Sequence, residues 1–303
     1  MKTAIDLFAG GGGFSTGAVQ AGLSVRWAAN HSPRAVACHA NNHPDTEHAC
    51  QDLHQANWSQ VPRADIVLAS PCCQGHTKAR GKDGPHHDAS RSTAWAVVSC
   101  CEYHRPKAFI VENVPEFLDW SLYPAWRDAM SRLGYRMTTN VLDAADAGVP
   151  QNRVRLFIVG SRHEITIPAG GRRPKSAGEI IDFSDGKWSP VNKPGRAEAT
   201  LSRVANGRRQ FGRRFVMPYY SSGSGLTGRS LDRPLGTVRT RDSWAVVDGD
   251  QMRMLTIGEY SRAMGFPKSY KLPDAKSHAV HLLGNAVPPP LAKHVINCVC
   301  QAL

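Results

Sequence analysis

Short apolar runs bounded by glycine, asparagine or proline recur from the start of the chain to about Arg162, with helical patterns between them. The runs Ala4–Phe8, Val25–Ala29, Ile66–Ala69, Phe109–Val111, Met137–Leu142 and Leu156–Val159 are short and rich in Val and Ile, which predicts strands. The stretches Ser15–Ala21, Pro33–Asn41, Ser92–Tyr103 and Tyr123–Leu133 predict helices. Gly22 and Gly134 sit where glycine ends a helix. Strands apolar on both faces, alternating with helices, predict a doubly wound α/β sheet.

The texture changes near Pro168. Gly, Pro, Ser and Arg rise and helical periodicity fades until about Asp250, which predicts a small, loop-rich second domain. Leu255–Gly265 and Pro288–Leu303 read as helices again, so the chain is expected to return to the first domain. The division expected is residues 1–163 with 255–303, and 164–254 between them. No internal repeat is visible.

Composition narrows the class. Apolar residues make up 41% of the 303, enough for a sizeable core. No run of 18 apolar residues suggests a membrane span, and the first residues lack the pattern of a secretory signal. Eight cysteines without paired spacing point to a reduced, cytoplasmic setting and to no structural zinc. The net charge is 37 − 25 = +12, and Arg162–Arg241 alone holds 16 Lys/Arg against 6 Asp/Glu, a net +10. Charge concentrated in this way suits a phosphate backbone.

Four motifs carry chemistry. Asp6-Leu-Phe-Ala-Gly-Gly-Gly-Gly-Phe14 runs from a strand through glycines into a helix, where a backbone can approach a ligand closely. It is no clean dinucleotide fingerprint, and the second strand ends at Asn30-His31 with no carboxylate for a ribose. Ser70-Pro-Cys-Cys73-Gln-Gly-His-Thr77 follows another apolar strand. The basic, glycine-containing stretch 74–91 is expected to be a lid whose positive field favours a thiolate. Ile110-Val-Glu112-Asn-Val-Pro115 puts a carboxyl at the end of a buried strand, where Glu is rare unless paired or functional. In Gln151-Asn-Arg153-Val-Arg155, strand alternation would put Gln151, Arg153 and Arg155 on one face.

Taken in order, these motifs resemble the DNA cytosine-5 methyltransferase family of bacterial and phage type. Arg233-Pro-Leu-Gly-Thr-Val-Arg-Thr240 and Gly284-Asn-Ala-Val-Pro288 resemble two further motifs of that family, so the resemblance spans the chain. It implies a Rossmann-like methyltransferase domain that uses S-adenosyl-L-methionine, and a small target-recognition domain. Cys73 would attack carbon 6 of a flipped-out cytosine. Glu112 would contact ring nitrogen 3 and the amino group, Arg155 the carbonyl oxygen, and Arg153 would support the loop and Glu112. Phe8, Gly10, Gly12, Gly13, Asn30, His31, Asp52, Leu53, Asn285, Ala286 and Val287 would form the cofactor pocket. Gln74, Thr77, Lys78 and Arg80 would belong to the lid, and Arg208, Arg209, Arg213 and Arg214 would meet DNA. Double-stranded DNA is the implied partner, a restriction endonuclease a possible second, and a monomer the implied state.

Three positions depart from the family pattern: Asn30 replaces a Glu that grips the ribose, Cys72 replaces a Pro, and His76 replaces an aromatic residue. A weaker or altered cofactor grip is the expectation. A tRNA methyltransferase of the same fold, an inactive DNA-binding protein and a nicotinamide oxidoreductase are the competing readings. The first lacks its Cys-Phe-Thr element here, the second has no reason to keep both Cys73 and Glu112, and the third lacks its ribose carboxylate.

Overall fold

The computed structural model describes residues 1–72, 92–219 and 227–303. Two compact units share the chain: Met1–Asp143 with Val154–Gly170 and Ala286–Leu303, and Ala144–Arg153 with Gly171–Asn285. Their boundaries near 170 and 285 differ from the 163 and 255 that sequence texture suggests.

The first unit is built on a seven-stranded sheet of order β3-β2-β1-β4-β5-β7-β6. Its strands are β1 Thr3–Leu7, β2 Ser24–Asn30, β3 Glu47–Cys50, β4 Ile66–Ala69, β5 Ala108–Asn113, β6 Arg136–Asp143 and β7 Val154–Ser161. β1 to β5 run parallel, whereas β7 is antiparallel to both β5 and β6. All six predicted strands form. β3 has no counterpart among them because Glu47-His-Ala-Cys50, an edge strand, lacks an apolar run.

Around the sheet lie α1 Gly13–Gln20, α2 Pro33–Asn42, α3 Trp95–His104, α4 Tyr123–Arg132 and, from the far end of the chain, α8 Pro289–Ala302. Gly22 and Gly134 take φ of 85° and 88°, the left-handed turn that glycine allows after a helix. Every residue of β4 and β5 is buried, as expected of parallel strands covered on both faces. Their side chains pack with Trp126, Phe117 and Met130, and the Trp126 indole donates to the carbonyl of Ala94 at 3.0 Å. Gly160 on β7 lies against Phe109, where an added Cβ would come within 2.1 Å of the ring.

The chain leaves β1 toward β2 on one side and places β4 on the other, so the loops after β1 and β4 diverge. Ligands of open α/β sheets bind at this reversal, beyond the carboxyl ends of the strands.

The second unit is more regular than its Gly- and Pro-rich sequence suggests. It holds a four-stranded antiparallel sheet of order β8-β11-β10-β9 (Ser189–Pro190, Gln251–Met254, Trp244–Asp248, Arg214–Pro218). It also holds α5 Glu198–Phe211, α6 Ile257–Ala263 and α7 Lys276–Asn285. Around these elements most of the unit is turns and loops, as the sequence texture predicts. The fourteen-residue α5 buries only Thr200, Val204 and Gly207, a face too small to stand out among its charges. Gly207 lets the Phe215 ring approach to 2.3 Å from where a Cβ would be. The buried carboxylate of Glu259 accepts two 2.7 Å bonds from Arg253 and further bonds from the backbone of Thr256 and Asp182. Those bonds offset the cost of burying the pair.

Candidate active site

The glycine turn grows directly out of β1. Phe8 takes φ 63°, unusual for a residue with a side chain, and Gly10 and Gly12 follow at 53° and 85°. The amide of Ala9 bonds to Ala29 at the end of β2, Gly12 donates back to Ala9, and Thr16 donates to the Gly12 carbonyl from both its amide and its hydroxyl. A Cβ on Gly10 would meet only the Phe8 carbonyl, at 3.8 Å, so its backbone faces space that a ligand can enter.

Gly13 has a different reason to be glycine. A Cβ there would lie 2.1 Å from the carbonyl oxygen of Val287 and 3.2 Å from Ala286. The structure therefore brings Ala286 and Val287 onto the glycine turn, and Gly13 is the contact surface for them. Asn285 ends α7 in the second unit, where its side-chain amide meets His281 at 3.1 Å.

Asn30 is buried at the end of β2. Its side-chain oxygen accepts the amide of Ser32, and Ser32 caps α2. His31 is exposed. Past β3, exposed Asp52 accepts the amide of His54 at 3.0 Å, and neighbouring Leu53 is buried. A positive-φ Gly10 facing open space, with the exposed Asp52 carboxylate beyond β3, fits a cofactor with an amino-acid end and an adenine end.

The catalytic motifs converge on β5. Glu112 is buried, and its Oε1 lies 3.1 Å from Arg155 Nε on β7, next to where β7 pairs with β5. Beside it, Asn113 donates its side-chain amide to the carbonyl of Pro71 at 3.1 Å and accepts the amide of Val114. The amide of Cys72 is held in turn by the Thr93 hydroxyl at 3.1 Å. The segment leading to Cys73 is thus anchored from two sides, by residues that sequence reasoning did not single out. An Asn directly after the Glu was the available signal. Cys73 itself lies outside the described residues, as do Gln74, His76, Thr77, Lys78 and Arg80.

The shared strand face expected for Gln151, Arg153 and Arg155 is not formed. β7 begins at Val154, so only Arg155 lies on it. Gln151 and Arg153 are buried in the second unit. There Arg153 donates to the carbonyls of Val238 (2.9 Å) and Gly284 (2.7 Å). Gln151 accepts the amide of Val238 at 2.7 Å and donates to Ala263 at 3.0 Å. These two side chains clasp the Arg-Pro-Leu-Gly and Gly-Asn-Ala-Val segments together. Gly284 belongs to the clasp, because a Cβ there would be 2.4 Å from the backbone of Arg239.

The arginines expected to meet DNA have partners of their own. Arg213 and Arg214 share Asp248 at 2.6 and 3.0 Å, and Arg208 bonds to Asp250 at 2.8 Å and to the Gly249 carbonyl. Arg209 bonds to Asn206. Asp248 and Asp250 stand just beyond the basic stretch, and their carboxylates offset part of its charge. Exposed pairs of this kind contribute little, so exchanging an aspartate for a phosphate costs little.

Under the glycine turn lies a buried polar chain. Asp6 on β1 accepts the Ser15 hydroxyl at 2.6 Å, and Ser15 meets His39 Nε2 at 2.9 Å. His39 Nδ1 in turn meets His48 Nε2 at 2.7 Å. Burial pushes Asp6 up to about 7, against a smaller opposing effect of its bonds to Ser15. Burial also holds His39 down at about 2 and His43 at about 4, so both are neutral.

Comparison with known proteins agrees with this geometry. The family model described as C-5 cytosine-specific DNA methylase matches residues 2–301. The Type II methyltransferase M1.HphI of Haemophilus parahaemolyticus is 30% identical over 329 residues, covering 99% of this chain and 87% of that one. M.HindV of Haemophilus influenzae is 26% identical over 304 residues, covering 97% and 95%. Among solved structures, a candidate DNA modification methyltransferase from an E. coli prophage superposes with a TM-score of 0.73 at 19% identity, covering 99% of each chain.

Proposed function

Because the chain belongs to the C-5 cytosine-specific DNA methylase family and so is an S-adenosylmethionine-dependent DNA cytosine-5 methyltransferase acting on double-stranded DNA, we propose that it works by covalent attack of Cys73 on a base taken out of the duplex. Carbon 5 of cytosine is a weak nucleophile. A thiolate bond to carbon 6 turns the ring into an enamine that carries electron density at carbon 5. S-adenosylmethionine, when bound, supplies an electrophilic methyl group. Phe8, Gly10, Gly12, Asp52, Leu53, Ala286 and Val287 would hold it, Gly13 giving Val287 room to approach, with Asn30 and His31 facing the ribose.

Glu112 would hold a proton at ring nitrogen 3 as Cys73 attacks. Arg155, paired with Glu112 in the absence of DNA, would turn to the cytosine carbonyl oxygen. Arg153 acts at a distance by fixing the segments around Val238 and Gly284. Unpairing and unstacking the base costs a few kcal/mol, and Gln74, Thr77, Lys78 and Arg80 would close over it. Residues 164–254 would read the target, with Arg208, Arg209, Arg213 and Arg214 on its phosphates. The Type II relatives favour a restriction–modification role in a prokaryotic or phage-infected cytoplasm, with the enzyme acting as a monomer beside a cognate endonuclease. Among the described residues no helix is long and apolar enough to cross a membrane.

The observation that carries this reading is the bond from Asn113 to Pro71. It ties the Glu112 strand to the loop that leads into Cys73. A duplex in which the target cytosine is 5-fluorocytosine tests it, because the carbon 5 fluorine blocks release and traps the adduct. A covalent complex that survives Cys72→Pro and disappears in Cys73→Ser is expected. An adduct that persists in Cys73→Ser overturns the assignment. Bisulfite sequencing of DNA from expressing cells would identify the sequence read.

A further inference from the structure

The polar chain beneath the glycine turn has one direction. Asp6 accepts when ionised, so the Ser15 hydroxyl points its hydrogen at Asp6 Oδ2 and accepts from His39 Nε2. That leaves His39 Nδ1 as an acceptor for the Nε2 hydrogen of His48. When Asp6 carries a proton, every one of these bonds can reverse. Asp6 then donates to Ser15, Ser15 to His39 Nε2, and His39 Nδ1 to His48 Nε2. The outer end, His48, is half-exposed on the edge strand β3, beside the Thr46 backbone. The inner end is fully buried, and Asp6 Oδ1 has no hydrogen-bond partner among the described residues.

Asp6 is fully buried, and among the described residues this chain links it to half-exposed His48. The neighbouring strands place Ala28 and Leu68 opposite it. α8 closes over α1 through Pro289 and Ala292 at Gly17. The titratable groups reached through Ser15 and its neighbours are His39 on α2, His43 just after it and His48 on β3. His43 makes a side branch to the Thr16 hydroxyl at 3.1 Å, and Thr16 holds the Gly12 carbonyl. Asp6 itself is two residues before Phe8, and its hydrogen-bond partner Ser15 is two residues after Gly13.

A buried carboxyl of this kind responds to a charge placed on the turn above it. S-adenosylmethionine carries a sulfonium cation, whereas the product, S-adenosylhomocysteine, is a neutral thioether. A cation favours the ionised carboxylate and the product does not.

We propose that Asp6 is a counter-charge for the methyl donor and that Ser15, His39 and His48 are its proton outlet. The turn holds a protonated Asp6 when empty or product-bound and an ionised one when the donor is bound. The proton balance is one for one. Asp6 passes its proton to Ser15, Ser15 passes its own to His39 Nε2, and His39 Nδ1 passes one to His48 Nε2. The second ring nitrogen of His48 then releases one to solvent. The same proton returns after methyl transfer has removed the sulfonium, which weakens the grip on whichever cofactor form lacks the charge. Asp6 is thus a binding determinant of the known reaction, and Ser15, His39 and His48 are positioning residues that act through it.

Titration calorimetry in buffers of different ionisation enthalpy tests this without turnover. With Asp6 titrating at about 7, donor binding at pH 7 releases about half a proton more than product binding. Equal proton counts for the two ligands in the wild-type protein overturn the proposal. Asp6→Asn abolishes the difference, and a difference that persists in this variant also overturns it. His39→Gln keeps a donor for Ser15 but cannot pass a proton. It leaves the count unchanged and slows the release followed by an indicator dye at least tenfold, with product affinity showing that the turn is intact. An unslowed release removes the relay.

Discussion

Asn113 and Pro71 are 42 positions apart in sequence, yet the side-chain amide of one donates to the carbonyl of the other at 3.1 Å. The bond is buried, and Asn113 uses its other side-chain atom for the amide of Val114. Asn113→Ala leaves both partners unsatisfied, and Asn113→Asp sets a carboxylate against a carbonyl. Each costs about 1–3 kcal/mol, a penalty that falls on the loop before Cys73. Both variants are expected to lose tenfold or more in methylation rate with donor affinity within about twofold of wild type. Single-turnover methylation beside calorimetry checks the split. Equal losses in both would place Asn113 in general folding instead.

Glu112 and Arg155 form a second coupled pair, each largely shielded from water. Arg155→Ala strands a buried carboxylate and is expected to destabilise the protein by about 3 kcal/mol or more. Glu112→Gln in the same chain removes that charge, so the double variant should be more stable than Arg155→Ala alone. Denaturant melts of the four proteins in the cycle measure the coupling. Methylation should fall at least a hundredfold in every variant.

The position of Asn30 makes a gain-of-affinity prediction. Its side chain stands at the end of β2 and accepts Ser32 rather than presenting a charge. Asn30→Glu offers a charge-assisted bond to a ribose hydroxyl and is expected to tighten donor binding about fivefold or more. Unchanged affinity by calorimetry would remove Asn30 from the ribose site.

The acidity of Asp6 has a signature in stability. Its carboxyl titrates at about 7 in the folded protein and near 3.8 ordinarily. The folded state therefore holds the proton more tightly, and the stability this contributes below about pH 4 is lost as pH rises from about 4 through about 7. The loss approaches about 4 kcal/mol, at about 1.4 kcal/mol per pH unit of displacement. His39 and His43 work from the other side. Held neutral by burial, they lower stability as pH falls below the ordinary histidine range. Thermal melts of Asp6→Asn should lose the decline between about pH 4 and 7, leaving the opposite histidine effect as the stronger trend over that range. An unchanged profile between about pH 4 and 7 would mean that Asp6 ionises without cost.

How far the sequence reached depended on the range of each interaction. The strands β1, β2, β4 and β5 are apolar on both faces, so they show in any short window. Glu112 was legible because a carboxyl in such a run is rare. β3 was hidden by its polar edge composition, and α5 by a buried face of Thr, Val and Gly. Gln151 and Arg153 were misplaced because two-residue alternation holds only inside a strand. Their partners Val238 and Gly284 lie 85 to 131 positions away, a relation no local spacing encodes. Thr93 and His39 were missed for the same reason, since each matters through a residue on another element.

The contact of Gly13 with Val287 sets an order of assembly. The glycine turn and the residues that close against it lie more than 270 positions apart, so the wall of the turn forms only when distant parts of the chain meet. Until Ala286 and Val287 arrive, the turn has lost one wall, and the α1 surface around Gly17 has no α8 to cover it. A ribosome stalled anywhere before that point carries a chain with no finished donor pocket. Donor binding is then competent only in a chain that carries both segments, and fragments lacking either stay silent.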